Sequence, residues 1–226
     1  MAGIAGLLLF ITAGINSRLV QKNKKLSEDL GTRIVKEVLD GDTFVAEDNV
    51  IVRLVSVEAP EMEFCGGEKA KKALKEMILG KRVRLEVQVR DSYGRLVALT
   101  YKDDKLINEK MLADGWAFYS GANSSAKEKL MIVGREARGA KRGIFGPECT
   151  QEVNLDQPKC LIKGNYDATD AEGSRKIYHF PGCGRYDSVA VELYRGDKWF
   201  CSEQEAQSAG FVKSGNCFGR EFSSLK

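Results

Sequence analysis

Arg33-Ile34-Val35-Lys36-Glu37-Val38-Leu39, then Asp40-Gly41, then Thr43-Phe44-Val45-Ala46 is the stretch that decides the fold. The first run reads as a strand, Asp-Gly is a hairpin-turn signal, and the second run brings the chain back. Val50 to Val57 adds a third strand rich in β-branched residues. The period then changes. Ala70, Ala73, Leu74, Met77 and Ile78 recur at helical spacing, and Gly80 marks the stop. Val83, Leu85, Val87 and Val89 alternate with polar residues as a half-buried strand. Asp91-Ser92-Tyr93-Gly94 turns the chain into a fifth strand, Leu96 to Tyr101. Asn108 is placed to cap a short helix through Ala113, and a last helix runs from about Ala126 to Lys141. Five strands with a helix after the third predict a β-barrel with helices, an α+β fold of the OB type.

Four parts follow from this core. Residues 1–30 are an N-terminal segment and linker, and 31–148 the OB-fold barrel domain. Residues 149–158 are a polar connector, and 159–226 a small Cys-containing α+β accessory domain. In the last part, Ser202 to Ala209 reads as a helix, with Ser202 as N-cap, Glu205 at the capping-box position and Gly210 at the stop. The apolar run Ile4 to Ile15 is shorter than the roughly 20 residues of a spanning helix and has the length of a signal-peptide core. The basic residues after it, Arg18, Lys22, Lys24 and Lys25, taken alone keep the following chain in the cytoplasm. The even count of six cysteines points the other way. The favoured reading is a signal peptide or membrane anchor, with the protein secreted or held outside the cytoplasm.

Composition narrows the function. At 226 residues, 43% hydrophobic and 30% charged, the chain is neither a polytopic membrane protein nor wholly disordered. A net charge of +3 excludes a polycation, so any nucleic-acid binding must come from a local cluster. The one histidine, His179, lies in the tail, so acid–base work in the barrel falls to carboxylates, Arg, Lys or Tyr.

Asp42 follows the first turn and Glu58 ends the third strand, so in a barrel their carboxylates converge. Two carboxylates without His or Cys favour a hard cation, Ca²⁺ or Mg²⁺, with the Thr43 backbone carbonyl as a third ligand. Arg53 and Arg95 bring two guanidinium forks to the same rim, a geometry suited to phosphate. Glu61 is a third acid, free to take a proton from an attacking water. Taken together these groups form a phosphodiester-cleaving set.

The motifs Val38-Leu39-Asp40-Gly41-Asp42-Thr43, Arg53-Leu54, Ala59-Pro60-Glu61, Asp91-Ser92-Tyr93-Gly94-Arg95, Ile107-Asn108-Glu109 and Gly143-Ile144-Phe145 resemble the staphylococcal nuclease (thermonuclease) family over residues 33–146. The resemblance implies a Ca²⁺-dependent endonuclease, a monomer acting on DNA and RNA and leaving a 5′-hydroxyl. It implies Asp42, Thr43 and Glu58 as metal ligands, Arg53 and Arg95 as the phosphate clamp, and Glu61 as general base. Tyr93 would contact the nucleotide, and Tyr119 would either stack on a base or pack in the core. Glu58 stands where Asp is common, Ala59 where Thr is common, and Phe145 where Trp is usual. The rival expectation is a nucleic-acid-binding module that has lost catalysis.

The tail segments Tyr178 to Cys183 and Trp199 to Phe211 resemble a small domain appended to secreted bacterial nucleases. A fainter similarity is to the zinc-binding domain of the adaptive-response DNA alkyltransferase. Two readings stay open for His179, Cys183, Cys201 and Cys217: a Zn²⁺ site or disulfides. Cys65 and Cys149, which bracket the barrel domain, are a further candidate pair.

Overall fold

The computed structural model describes residues 31–167 and 175–222. The expected signal or anchor, 1–30, lies outside the described residues. Among the described residues no helix is long and apolar enough to cross a membrane.

Strands β1 (Thr32–Val38), β2 (Thr43–Ala46), β3 (Ile51–Leu54), β5 (Arg82–Arg90) and β6 (Leu96–Lys102) form one sheet in the order β3-β2-β1-β5-β6, extended by the short β7 (Lys105–Leu106). The β3–β6 pairing closes the sheet into the five-stranded barrel that the sequence predicts. Phe44, Val52, Leu54, Val83, Ala98 and Leu99 are among the strand residues buried in its core. Helix α1 (Gly67–Ile78) covers it with Ala70, Leu74 and Ile78, the residues at helical spacing. Glu68 in its first turn and Lys75 in its last complement the helix dipole. Helices α2 (Ile107–Ala113) and α3 (Lys127–Gly139) complete the shell.

Two expectations need correction. The third strand is not continuous from Val50 to Val57. It breaks at Ser56, whose φ is +62°, and resumes as β4 (Val57–Glu58), which pairs with β8 (Phe118–Tyr119). The break turns Glu58 away from the line of β3. Asn108 is also no cap. It is fully buried inside α2, where Oδ1 accepts the Thr100 amide and Nδ2 donates to the Val55 and Ala98 carbonyls. It satisfies the Val55 carbonyl next to the break and the Thr100 amide, and shares the Ala98 carbonyl with the Val55 amide.

The tail builds a second sheet from β10 (Ile162–Asp167), β11 (Arg175–His179), β13 (Lys198–Phe200) and β14 (Val212–Lys213), in the order β13-β10-β11-β14. Its core is Ile162, Tyr178, Phe180, Phe200 and Phe211. Helix α4 (Glu203–Ser208) starts as read: the Ser202 hydroxyl accepts the Glu205 amide. So small a core is reinforced by two disulfides, Cys160–Cys201 and Cys183–Cys217. They overturn the zinc reading. Cys183, Cys201 and Cys217 all spend their sulfurs on disulfides, and among the described residues no metal-binding cluster gathers around the buried His179.

The polar connector is pinned. Its strand β9 (Thr150–Gln151) pairs with β12 (Val191–Glu192), and Trp199 Nε1 donates to Gln151 Oε1 at 2.7 Å. The Cys65–Cys149 disulfide ties it to the loop after β4. Tyr194 packs on Phe118 and Phe145, with its hydroxyl on Arg138 at 2.7 Å.

Replacing Asn108 with Ala strands the Val55 carbonyl and the Thr100 amide in the core, while the Ala98 carbonyl keeps the Val55 amide. The expected cost is about 3 kcal/mol of folding stability, read as a lower urea midpoint with unchanged slope. A loss below about 1 kcal/mol means that the break at Ser56 does not depend on this side chain.

Candidate active site

The β1–β2 connection is a tight loop rather than a two-residue turn. Asp40 Oδ1 accepts the Asp42 amide at 2.9 Å, and Leu39 and Asp40 donate to the Thr43 carbonyl. Gly41 is needed for close approach: a Cβ there would lie 2.6 Å from the Cβ atoms of both Ala59 and Ala70. The loop therefore seats against α1 and the end of β4, and Asp42 is carried inward to 3% exposure.

Every oxygen of Asp42 is used. Oδ1 accepts Arg53 Nη1 and the Thr43 hydroxyl, each at 2.7 Å, and Oδ2 accepts the Ala59 amide at 2.9 Å. Arg53 Nη2 reaches Glu58 Oε2 at 2.7 Å. One guanidinium thus joins the two carboxylates that the sequence brings together. Burial pushes the Asp42 carboxyl up to about 7; Arg53 pulls it down and the neighbouring Asp40 charge adds to the rise. Burial works against the Arg53 charge, but Asp42 and Glu58 outweigh it and hold the guanidinium protonated.

Arg95 reaches the same face by register. Arg53 on β3 pairs with Val97 on β6, and Arg95 lies two residues before Val97. Strand alternation puts the two arginines on one side, roughly 7 Å apart along the strands. Asp91 aims Arg95: its Oδ2 accepts Arg95 Nε at 2.8 Å, and its Oδ1 accepts the Tyr93 and Arg95 amides. Tyr93, 83% exposed at the turn, has its ring 5.3 Å from the Arg95 guanidinium. Glu61 is exposed on the loop after β4.

A cavity of about 390 Å³ opens beside Glu58 and Glu61 and is lined by Phe118 and Tyr119. Tyr119 packs against the barrel core with a buried hydroxyl that lacks a partner. The Thr43 loop closes on itself. Its carbonyl is taken by the two hairpin amides, so only its hydroxyl bears on Asp42. Sequence reasoning missed Phe64, Tyr166 and Arg195, which also line this cavity. No local motif marks them; two come from beyond residue 150.

The donors available for a cation are carboxylate oxygens, Asp42 and Glu58, with Asp40 close enough to raise the Asp42 pKa. Among the described residues no group of three acidic, His or Cys side chains is gathered for a metal. Two carboxylates, with water and a substrate phosphate completing the shell, is a donor set that suits Ca²⁺ or Mg²⁺.

Asp42 carries a testable signature. Its folded pKa lies above the ordinary 3.8, so the folded chain holds this proton to higher pH than the unfolded chain. The contribution to stability is complete below about 4 and is lost as pH rises to about 7. Asp42→Asn should therefore raise the Tm at pH 8 in chelator, and the gain should vanish at pH 4. A lower Tm for the variant at pH 8 contradicts the assignment.

Residues 51–146 match the family described as staphylococcal nuclease homologue. The match takes in Arg53, Glu58, Glu61 and Arg95. An uncharacterized endonuclease of Escherichia coli O157:H7 is 34% identical over 125 residues, which are 53% of this chain and 80% of that protein. An uncharacterized endonuclease of Haemophilus influenzae is 34% identical over 98 residues, 41% of this chain and 55% of that protein. A probable staphylococcal-like nuclease of Oryza sativa subsp. japonica is 30% identical over 129 residues, 57% of this chain and 38% of that protein. With the closed barrel, and with Arg53, Glu58 and Arg95 inside the matched residues, the chain belongs to the staphylococcal nuclease homologue family.

Proposed function

We propose that this protein is a Ca²⁺-dependent endonuclease that hydrolyses phosphodiester bonds of DNA or RNA by water attack. The observation that carries the reading is the single guanidinium of Arg53 joining buried Asp42 to Glu58, with Arg95 on the same face. Two of the five Arg53 N–H donors go to carboxylates, and three remain for a phosphate. Asp91 takes only Nε of Arg95 and leaves its outer fork for the same phosphate. A diester held between two such forks is stripped of water and fixed in one orientation.

Asp42 and Glu58 would hold the divalent ion, which supplies charge stabilisation at the phosphoryl oxygens when bound. Glu61 accepts a proton from the water whose oxygen attacks phosphorus. The new P–O bond forms as the bond to the 5′-oxygen breaks, and that oxygen leaves as a hydroxyl, protonated by a second water that recovers its proton from Glu61. As the two arginines keep their charge throughout, they stabilise the added negative charge without giving up a proton. Tyr93, exposed beside Arg95, is placed to contact the nucleotide, and Tyr119 forms part of the cavity wall at Glu58 and Glu61.

We take residues 31–148 as the nuclease unit and 159–226 as its accessory unit, joined by 149–158. Three disulfides point to an oxidising compartment, and export through residues 1–30 fits them.

The test is cleavage of single-stranded DNA by the full chain. Ca²⁺ should support it and EDTA should abolish it. Arg53→Ala, Arg95→Ala and Glu61→Ala should each lower kcat/KM by about 10²–10⁴-fold. Full activity in all three variants ends the proposal, as does salt-dependent binding without cleavage under any divalent cation.

A further inference from the structure

The cavity at Glu58 and Glu61 does not end at the barrel. A second cavity, about 470 Å³, shares Glu61, Phe64, Tyr166 and Arg195 with it and continues to Lys176 and Lys198. Both volumes lie in the range of small-ligand sites, about 300–1,000 Å³. We propose that this continuation is a binding track for the single-stranded polynucleotide, built by the tail and leading from the reacting phosphate. The inference rests on the nuclease reading and adds a second substrate-contacting surface to it.

The chemistry of the walls matches a nucleotide strand. Arg195, Lys176 and Lys198 are all exposed and face a single carboxylate in the outer cavity, Glu61. Among the described residues Lys176 and Lys198 have no carboxylate partner. The Arg195 pair with Glu192 is long, 3.5 Å, and Glu192 makes a closer bond, 2.6 Å, to Arg138 through its other oxygen. Between the cations stand aromatic rings: Phe64, Tyr166 and Phe211. The Arg195 guanidinium lies 4.6 Å from the Phe118 ring in the inner cavity. Cations that follow a backbone, interleaved with rings that accept bases, are the means by which proteins hold single strands without sequence preference.

The wall is built into place. Asp197 is buried and takes three hydrogen bonds, from the Tyr166 and Glu192 amides and from Asn165 Nδ2. It thereby fixes Tyr166 to the turn that carries Arg195. Gly196 has φ of +88°, and a Cβ there would sit 2.8 Å from the Phe64 ring. The turn therefore rests directly on the loop between Glu61 and Cys65, and the Cys65–Cys149 disulfide holds that loop to the connector.

The experiment measures binding, apart from cleavage. A fluorescent single strand of about 16 nucleotides is titrated with the full chain in EDTA over a salt series. The Lys176→Gln/Lys198→Gln variant should raise Kd about tenfold and flatten the log K against log salt slope by about 1.4. The Lys176→Arg/Lys198→Arg variant should bind like wild type, and both should keep the wild-type Tm. An unchanged Kd and slope in the Gln variant overturns the track, even if wild type cleaves. Weakened binding in a protein that cleaves under no divalent cation supports the track and ends the nuclease reading.

Discussion

An acid buried to 3% exposure is the constraint around which this molecule is arranged. Asp42 would be costly to ionise alone in that position. The Arg53 guanidinium makes it tenable and, with its other nitrogen, draws Glu58 into the same group. The β2–β3 register sets this up, because Arg53 pairs across from Thr43, the neighbour of Asp42. The break at Ser56 completes it, since a straight third strand would carry Glu58 along the barrel wall instead of toward Arg53. Asn108 stabilises the break by donating to the Val55 carbonyl beside it.

The barrel was legible because its signals are local. Alternation, β-branching and the Asp-Gly pair fix five strands, and the spacing of Ala70, Leu74 and Ile78 fixes the covering helix. Asp42, Arg53 and Glu58 could be brought together on paper because strand ends in a small barrel are few. The break at Ser56 was not legible, since Val50 to Val57 has unbroken strand propensity and the interruption is imposed by pairing with β8. The bonds of the Thr43 carbonyl to the Leu39 and Asp40 amides were likewise not legible, because the turn geometry sets them.

The tail illustrates a different limit. Its N-cap at Ser202 was readable, because capping involves residues three apart. Its cysteine pairing was not, because Cys160–Cys201 and Cys183–Cys217 join residues 41 and 34 positions apart. The same distance in sequence hid Tyr166 and Arg195, whose place beside Glu61 arises from folding of the connector against the barrel.

That folding bears on how Glu61 is positioned. An exposed carboxylate with three rotatable bonds has little to hold it in place through its own contacts. Its backbone is constrained instead: its carbonyl accepts the Phe64 amide, and the Phe64 carbonyl accepts that of Gly67 at the start of α1. Phe64 is in turn covered by Gly196, and Cys65 is bonded to Cys149. The loop that carries Glu61 is thus tied to the helix on one side and to the tail and connector on the other. Contact through one aromatic ring, with one disulfide to the connector, can hold Glu61 in place while leaving its carboxylate open to water. This arrangement gives a small accessory unit a mechanical reason to accompany the barrel, independent of any ligand that its own surface binds.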